Sequence, residues 1–228
     1  MQLPVTNGAP ARAGSPPPQL EFVVEGAESV RHAAVPTLFI RLRIERRGGG
    51  PVHSVGLTTQ IRIAATRRSY DEHARERLTD LFGPTEQWSR SLRSFLWTHV
   101  VVQVPAFTDA TYLDLPVVCT YDLEASGTKY IDALADGEVP LELLFSGTIF
   151  YAGDDGRLQV APMPWDREAE FRMPVSVWRE TMDRHFPNSA WLRVDREQFD
   201  RLAAYKARHM HPTWDHAVKA LLQEAGEE

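Results

Sequence analysis

The chain has 228 residues, 43% of them hydrophobic, a formal net charge of −6 and one cysteine. Length and hydrophobic share suit one domain with a proper core and exclude global disorder. The acidic balance argues against nucleic acid as the main partner. Cys119 alone makes neither an internal disulfide nor a thiolate metal site.

In chain order, residues 1–18 are rich in Pro, Ala, Gly and Ser and end in "SPPP". They have little to bury and are expected to form a disordered arm. They contain no apolar signal-peptide region. No apolar run approaches the roughly 20 residues that cross a bilayer. With a single cysteine, a reducing cytoplasm is the expected location. Residues 19–226 are read as one α+β domain, with the closing "QEAGEE" a frayed acidic tail.

The body opens with strand patterns. "LEFVVEG" puts Leu20, Phe22 and Val24 on one face. "TLFIRLRIER" alternates Ile40, Leu42 and Ile44 with Arg41, Arg43 and Glu45. "SVGLTTQIRIAA" does the same with Val55, Leu57, Ile61 and Ile63. Period two with one wet face means antiparallel strands. The link "RRGGGPVH" predicts a hairpin-like connection between the last two. A capping box at Ser69-Tyr70-Asp71-Glu72, with Ser69 as the cap, predicts a helix running to about Phe82 and stopped by "GP". A short helical piece, "TEQWSRSLRS", follows as part of the same insertion.

Strand patterns then resume. They are "WTHVVVQVPAF", "TYLDLPVVCTYDLE", "VPLELLFSGTIFYA", "RLQVAP" after the turn "GDDG", and "EAEFRMPV". In the second of these, Leu113, Leu115, Val117, Cys119, Tyr121 and Leu123 share one side, and Pro116 on the other marks an edge or a bulge. The C-terminal third reads as helical. Trp178, Met182 and Phe186 recur every four residues in "SVWRETMDRHF". Asp195 opens a helix with Phe199, Leu202 and Ala203 on one face. "TWDHAVKALLQEA" lines up Trp214, Val218, Leu221 and Leu222. The fold class is therefore α+β: about seven antiparallel strands in a sandwich or bent sheet, a helical insertion and a helical C-terminal region.

Catalytic motifs are missing: there is no glycine-rich phosphate loop, no zinc-protease helix and no nucleophile elbow. Alternation puts Cys119 on an apolar face, where a thiol is inert. Asp154 and Asp155 suit a turn, without the further oxygens of a calcium loop. Asp166, Glu168 and Glu170 alternate along a strand start and read as a solvated face, with a pocket acid and base as the alternative. Of six tryptophans, Trp178 and Trp214 have helical spacing for packing, whereas Trp165, between Pro164 and Asp166, is the best surface aromatic. Trp165, Asp166 and Trp191 are the candidate binding residues; no catalytic residue and no cofactor is assigned.

"HMHPTWDH" places His209, His211 and His216 within eight positions. Three histidines on one zinc ion would have to converge to about 2.1 Å. The same residues are better read as a helix end, an extended His211 before Pro212, and a new helix capped by Thr213 with Asp215 at its positive end.

Several blocks together carry a resemblance: "LFGPTEQW", "FLWTHVVVQVPAFT", "DLPVVCTYD", "KYIDALADGEVPLELLFSGTIFY" and the long run from Pro164 to His209. Over residues 20–225 the chain resembles an uncharacterised family, a domain of unknown function seen mainly in actinobacteria and associated with gene clusters for uptake NiFe hydrogenases. That family has no established site, so the resemblance transfers no catalytic residue. By gene neighbourhood it implies an accessory role, with a hydrogenase subunit or maturation factor as protein partner. The alternatives are a chaperone-like holder of immature clients and a small metalloprotein using the C-terminal histidines. No nucleic acid and no membrane span is expected.

Overall fold

A computed structural model of the chain describes residues 16–120, 125–187, 189 and 193–226. The expected N-terminal arm lies outside these residues over 1–15, as do Tyr121, Leu123 and Trp191. The chain separates into two compact units, residues 1–190 and 191–228.

The first unit is built on two antiparallel sheets, and the whole is α+β. One sheet orders β1 (Gln19–Ser29), β2 (Thr37–Arg47) and β5 (Ala110–Val118) with β2 central. The other orders β4 (Phe95–Val104), β3 (Val52–Ile63), β6 (Glu138–Ala152) and β7 (Leu158–Pro162), and β8 (Glu168–Pro174) pairs the first half of β6. The alternation decides which side is buried. Ile40, Leu42 and Ile44 of β2 and Val55, Leu57, Ile61 and Ile63 of β3 are wholly buried. They join a single core, in which Phe22 of β1 stacks on Phe145 of β6 with ring centroids 4.1 Å apart. Each such aliphatic side chain contributes about 1.5–3 kcal/mol by leaving water.

One expectation fails here. β2 and β3 are consecutive but do not form a hairpin; β2 pairs β1 and β5, whereas β3 pairs β4 and β6. Both strands are apolar on one face only. Placing them in different sheets turns those faces toward a common core, which side-by-side pairing would not do. The glycine-rich link still does its turn chemistry. Gly48 and Gly49 take φ of 65° and 60°, and the Arg46 guanidinium donates to both of their carbonyls at 2.8 and 2.6 Å. β6 changes partner near Gly147, at φ 150°, where a Cβ would overlap the Gly56 carbonyl. Pro116 sits on β5, an edge strand, as its missing N–H requires.

The insertion forms α1 (Glu72–Arg77), α2 (Thr79–Phe82) and, after a 3-10 turn at Thr85–Gln87, α3 (Trp88–Ser91). The cap is Asp71 rather than Ser69: its carboxylate accepts from the Ala74 N–H at 2.7 Å. Asp71 stands in extended backbone just before the first helical residue, which aims its carboxylate at the free N–H groups. Tyr70 is buried instead. Its hydroxyl donates to the Ala65 carbonyl at 2.5 Å and meets the Tyr130 hydroxyl at 2.7 Å. Tyr130 belongs to α4 (Ser126–Asp132), a helix that the sequence pattern did not announce. α5 (Val175–His185) packs on β1 and β2 with Trp178 and Met182 buried. Phe186 closes α5 as its cap and is partly buried.

The second unit is a helical hairpin of α6 (Arg196–Arg208) and α7 (Trp214–Ala225). Asp195 caps α6 by its backbone, since its side chain makes no capping bond. Tyr205 donates across the hairpin to Glu224 at 3.1 Å. Among the described residues no helix is long and apolar enough to cross a membrane.

Candidate functional site

α6 ends in a Schellman-type turn. His211 N–H donates to the Lys206 carbonyl at 3.0 Å and Met210 N–H to that of Ala207 at 3.2 Å, with Met210 at φ 51°. Thr213 then caps α7, accepting from His216 N–H at 3.2 Å. The "HMHPTWDH" segment is thus a helix end, a proline break and a capped helix start. His209 and His211 come together as parallel rings 5.9 Å apart, and Tyr205 lies 4.4 Å from His209 and 5.6 Å from His211. Stacked rings turn faces, not nitrogen lone pairs, toward one another. His216 is engaged separately, its Nδ1 2.6 Å from Thr213 Oγ1. No group of three or more His, Cys, Asp or Glu suited to a metal occurs among the described residues.

The hairpin leaves part of its apolar surface in water. Ala217 is its one fully buried hydrophobic residue among those described. Trp214, Val218 and Leu222 recur every four residues along α7, and Phe199 of α6 lies 5.4 Å from Trp214. These four are between 41% and 48% exposed. The Lys206 ammonium rests 5.5 Å from the Trp214 ring centroid, so the stripe has a basic rim. Trp214 therefore packs within the hairpin while keeping much of its ring in water.

In the first unit Trp165 stands at the tip of the β7–β8 connection and is 92% exposed. Backbone bonds pin the connection at both ends: Met163 N–H donates to Gly147 at 2.9 Å and Phe145 N–H to Arg167 at 2.8 Å. Asp166 pairs with its neighbour Arg167 at 3.2 Å. Glu170 pairs with Arg67 at 2.5 Å, and Arg67 also holds Glu142 at 3.0 Å. Asp166 and Glu170 are thus neutralised by different arginines on an exposed face and are not gathered as acid and base. Trp191 lies outside the described residues.

Cys119 is buried, and burial pushes its thiol up to about 12. The same cause raises Tyr130 and Tyr70, which face each other under the helical insertion. On the outer face of the smaller sheet Arg41 bonds Asp114 at 3.0 Å and Glu28 at 3.2 Å. Its guanidinium is raised first by that hydrogen bond to Asp114.

A family model described as "Family of unknown function (DUF6084)" matches residues 17–228. No curated protein matches the sequence. Among solved structures, a Bordetella pertussis chain assigned as ApaA is 14% identical, with 69% of this chain and 94% of that one covered and a TM-score of 0.22. A β-glucosidase from Kluyveromyces marxianus is 10% identical over 68% of this chain and 15% of that one, with a TM-score of 0.25. β-Glucosidase 3B from Thermotoga neapolitana, in complex with α-D-glucose, is 16% identical over 68% and 17%, with a TM-score of 0.21. The chain spans about one sixth of the length of these two enzymes. At such TM-scores none of the three carries an argument about this chain.

Proposed function

This chain belongs to the family of unknown function DUF6084, and from its exposed surfaces we propose that it is a non-enzymatic accessory module that binds another protein. The observation that carries this reading is the apolar stripe Phe199, Trp214, Val218 and Leu222, on a helical unit with almost no core of its own. A stripe at helical spacing, rich in aromatics and rimmed by Lys206, is the surface that a complementary helix or apolar groove covers. Trp165 offers a second anchor, with Asp166 beside it. On the resemblance to a hydrogenase-associated family, the partner is a NiFe hydrogenase subunit or maturation factor.

Affinity capture from the native host tests this. The wild-type chain is expected to recover a hydrogenase component, and Val218→Asp to lose it while the sheet unit melts unchanged. Capture without any hydrogenase component, or capture indifferent to Val218→Asp, sinks the reading. A chaperone-like holder would use the same stripe. It predicts that excess chain suppresses aggregation of an unrelated denatured client, which a dedicated accessory module does not do.

A further inference from the structure

The 3-10 turn Ala65–Arg67, the residues just after it, the entry to β6 and the outer face of β8 surround an open cleft of about 520 Å3. Arg67, Arg68, Ser69, Gly137, Glu138 and Arg172 line it. The three arginines are not equivalent. Arg67 is committed to Glu142 and Glu170 and brings no free charge.

Arg68 is held differently. Its Nη1 donates to the Glu138 carbonyl at 2.8 Å and its Nε to the Ser69 carbonyl at 3.2 Å. Its guanidinium carbon lies 5.4 Å from the Tyr70 ring centroid. Among the described residues no carboxylate forms an ion pair with it. Carbonyl oxygens and a ring face fix a guanidinium in place without cancelling its charge, and its remaining donors stay available. Arg172 reaches the same place from β8. Its Nη2 donates to the Arg67 carbonyl at 3.4 Å, and Glu138 is 3.9 Å away, too far for a good hydrogen bond. Arg68 on the Glu138 carbonyl and Arg172 beside its loosely held carboxylate thus line one cleft, with the exposed Ser69 alongside.

We propose that this cleft binds a phosphate group, held by Arg68 and Arg172, with Glu138 as the internal anion that it displaces. The guanidinium fork matches phosphate oxygens in geometry and charge. The cleft is large enough for either free phosphate or the phosphate of a small phosphomonoester. This site is independent of the protein-binding stripe.

Isothermal titration of the full chain with inorganic phosphate and with glycerol 3-phosphate, against sodium chloride of matched ionic strength, tests the proposal. Saturable binding is expected. Arg172→Gln should weaken it about tenfold or more through lost charge-assisted hydrogen bonds. Arg68→Lys keeps the charge but loses the fork and should also weaken binding, at an unchanged melting temperature. Glu138→Gln removes the competing anion and should tighten binding several-fold. Tighter binding of glycerol 3-phosphate identifies a phosphorylated small molecule as the ligand, whereas equal or weaker binding identifies free phosphate. The proposal is overturned by no saturable heat with either probe, by binding that survives both arginine variants, or by weaker binding in Glu138→Gln.

Discussion

In residues 16–187 every strand of the two sheets contributes to a shared core, and Ile40, Leu42, Ile61, Ile63 and Tyr130 are wholly buried. In residues 193–226 one alanine is buried, and Phe199, Trp214, Val218 and Leu222 remain 41% to 48% exposed. Two amphipathic helices present too little surface to each other to cover both of their stripes. A sandwich covers its strands by stacking a second sheet on them. Most of the buried apolar surface therefore lies in the sheets. The strands bury their apolar faces against one another, and the hairpin leaves part of its own in water.

The comparison breaks first at the core. Phe145→Ala should lower the stability of the sheet unit by about 3–5 kcal/mol, because its stacked partner Phe22 is left facing a cavity. Trp214→Ala should leave that unfolding transition within about 0.5 kcal/mol of wild type, as a partly exposed residue outside the core. Denaturant unfolding followed by the fluorescence of the buried tryptophans measures both. Equal losses would erase the distinction between the two regions.

Alkaline titration comes next. Cys119, Tyr70 and Tyr130 are all raised by burial, so the folded chain favours their neutral forms. The Cys119 contribution is fully present below the ordinary thiol pKa of 9.0 and is lost as pH rises toward about 12, whereas those of Tyr70 and Tyr130 are fully present below the ordinary phenol value of 10.0 and decline only above it. Each group that ionises in the unfolded chain alone removes about 1.4 kcal/mol per pH unit. Unfolding free energy measured from pH 8 to pH 11 should therefore fall; in the hairpin Tyr205, raised by burial and by its hydrogen bond to Glu224, adds an alkaline loss of helical content of its own. Cys119→Ser should shift the onset upward, from thiol to phenol ionisation.

Smaller effects locate the helix ends. Asp71→Ala should cost about 1 kcal/mol as a lost N-cap, and Ser69→Ala less than about 0.5 kcal/mol; thermal melts of the two variants compare them directly. Met210→Gly should stabilise the hairpin by about 0.5–1 kcal/mol, since glycine adopts the left-handed turn at φ 51° without the Cβ penalty. Circular dichroism at 222 nm during heating reads that gain. A loss instead would mean that the exposed Met210 side chain makes a contact in solution.

Much of this was legible residue by residue. Alternation along 37–46 and 54–65 named the inward side chains, and all seven are buried. The cap at Thr213 and the break at Pro212 were readable because caps and proline act within one turn of chain. Trp165 stood out as a surface aromatic between Pro164 and Asp166, and it is. The helix Ser126–Asp132 was not readable: at seven residues it spans barely two turns, too short for a helical period to emerge. The Ser69 cap failed because two capping residues lie two positions apart, and burial of the intervening Tyr70 helps decide between them. The arginine cleft left no local signal at all, since Arg68, Glu138 and Arg172 come from three distant segments.

The sequence by itself determined the fold class, the buried face of β1, β2, β3 and β5, the buried setting of Cys119 and the two helices that follow Asp195 and Thr213. These follow from periods of two and about four and from turn chemistry, which reach only a few residues along the chain. Only the tertiary structure decided that β2 and β3 part into different sheets, that Tyr70 and Tyr130 share a hydrogen bond, that His209 and His211 stack on each other, and which arginines have a close carboxylate partner. Each of those depends on which distant segment arrives opposite, and one-face burial is satisfied by more than one such arrangement.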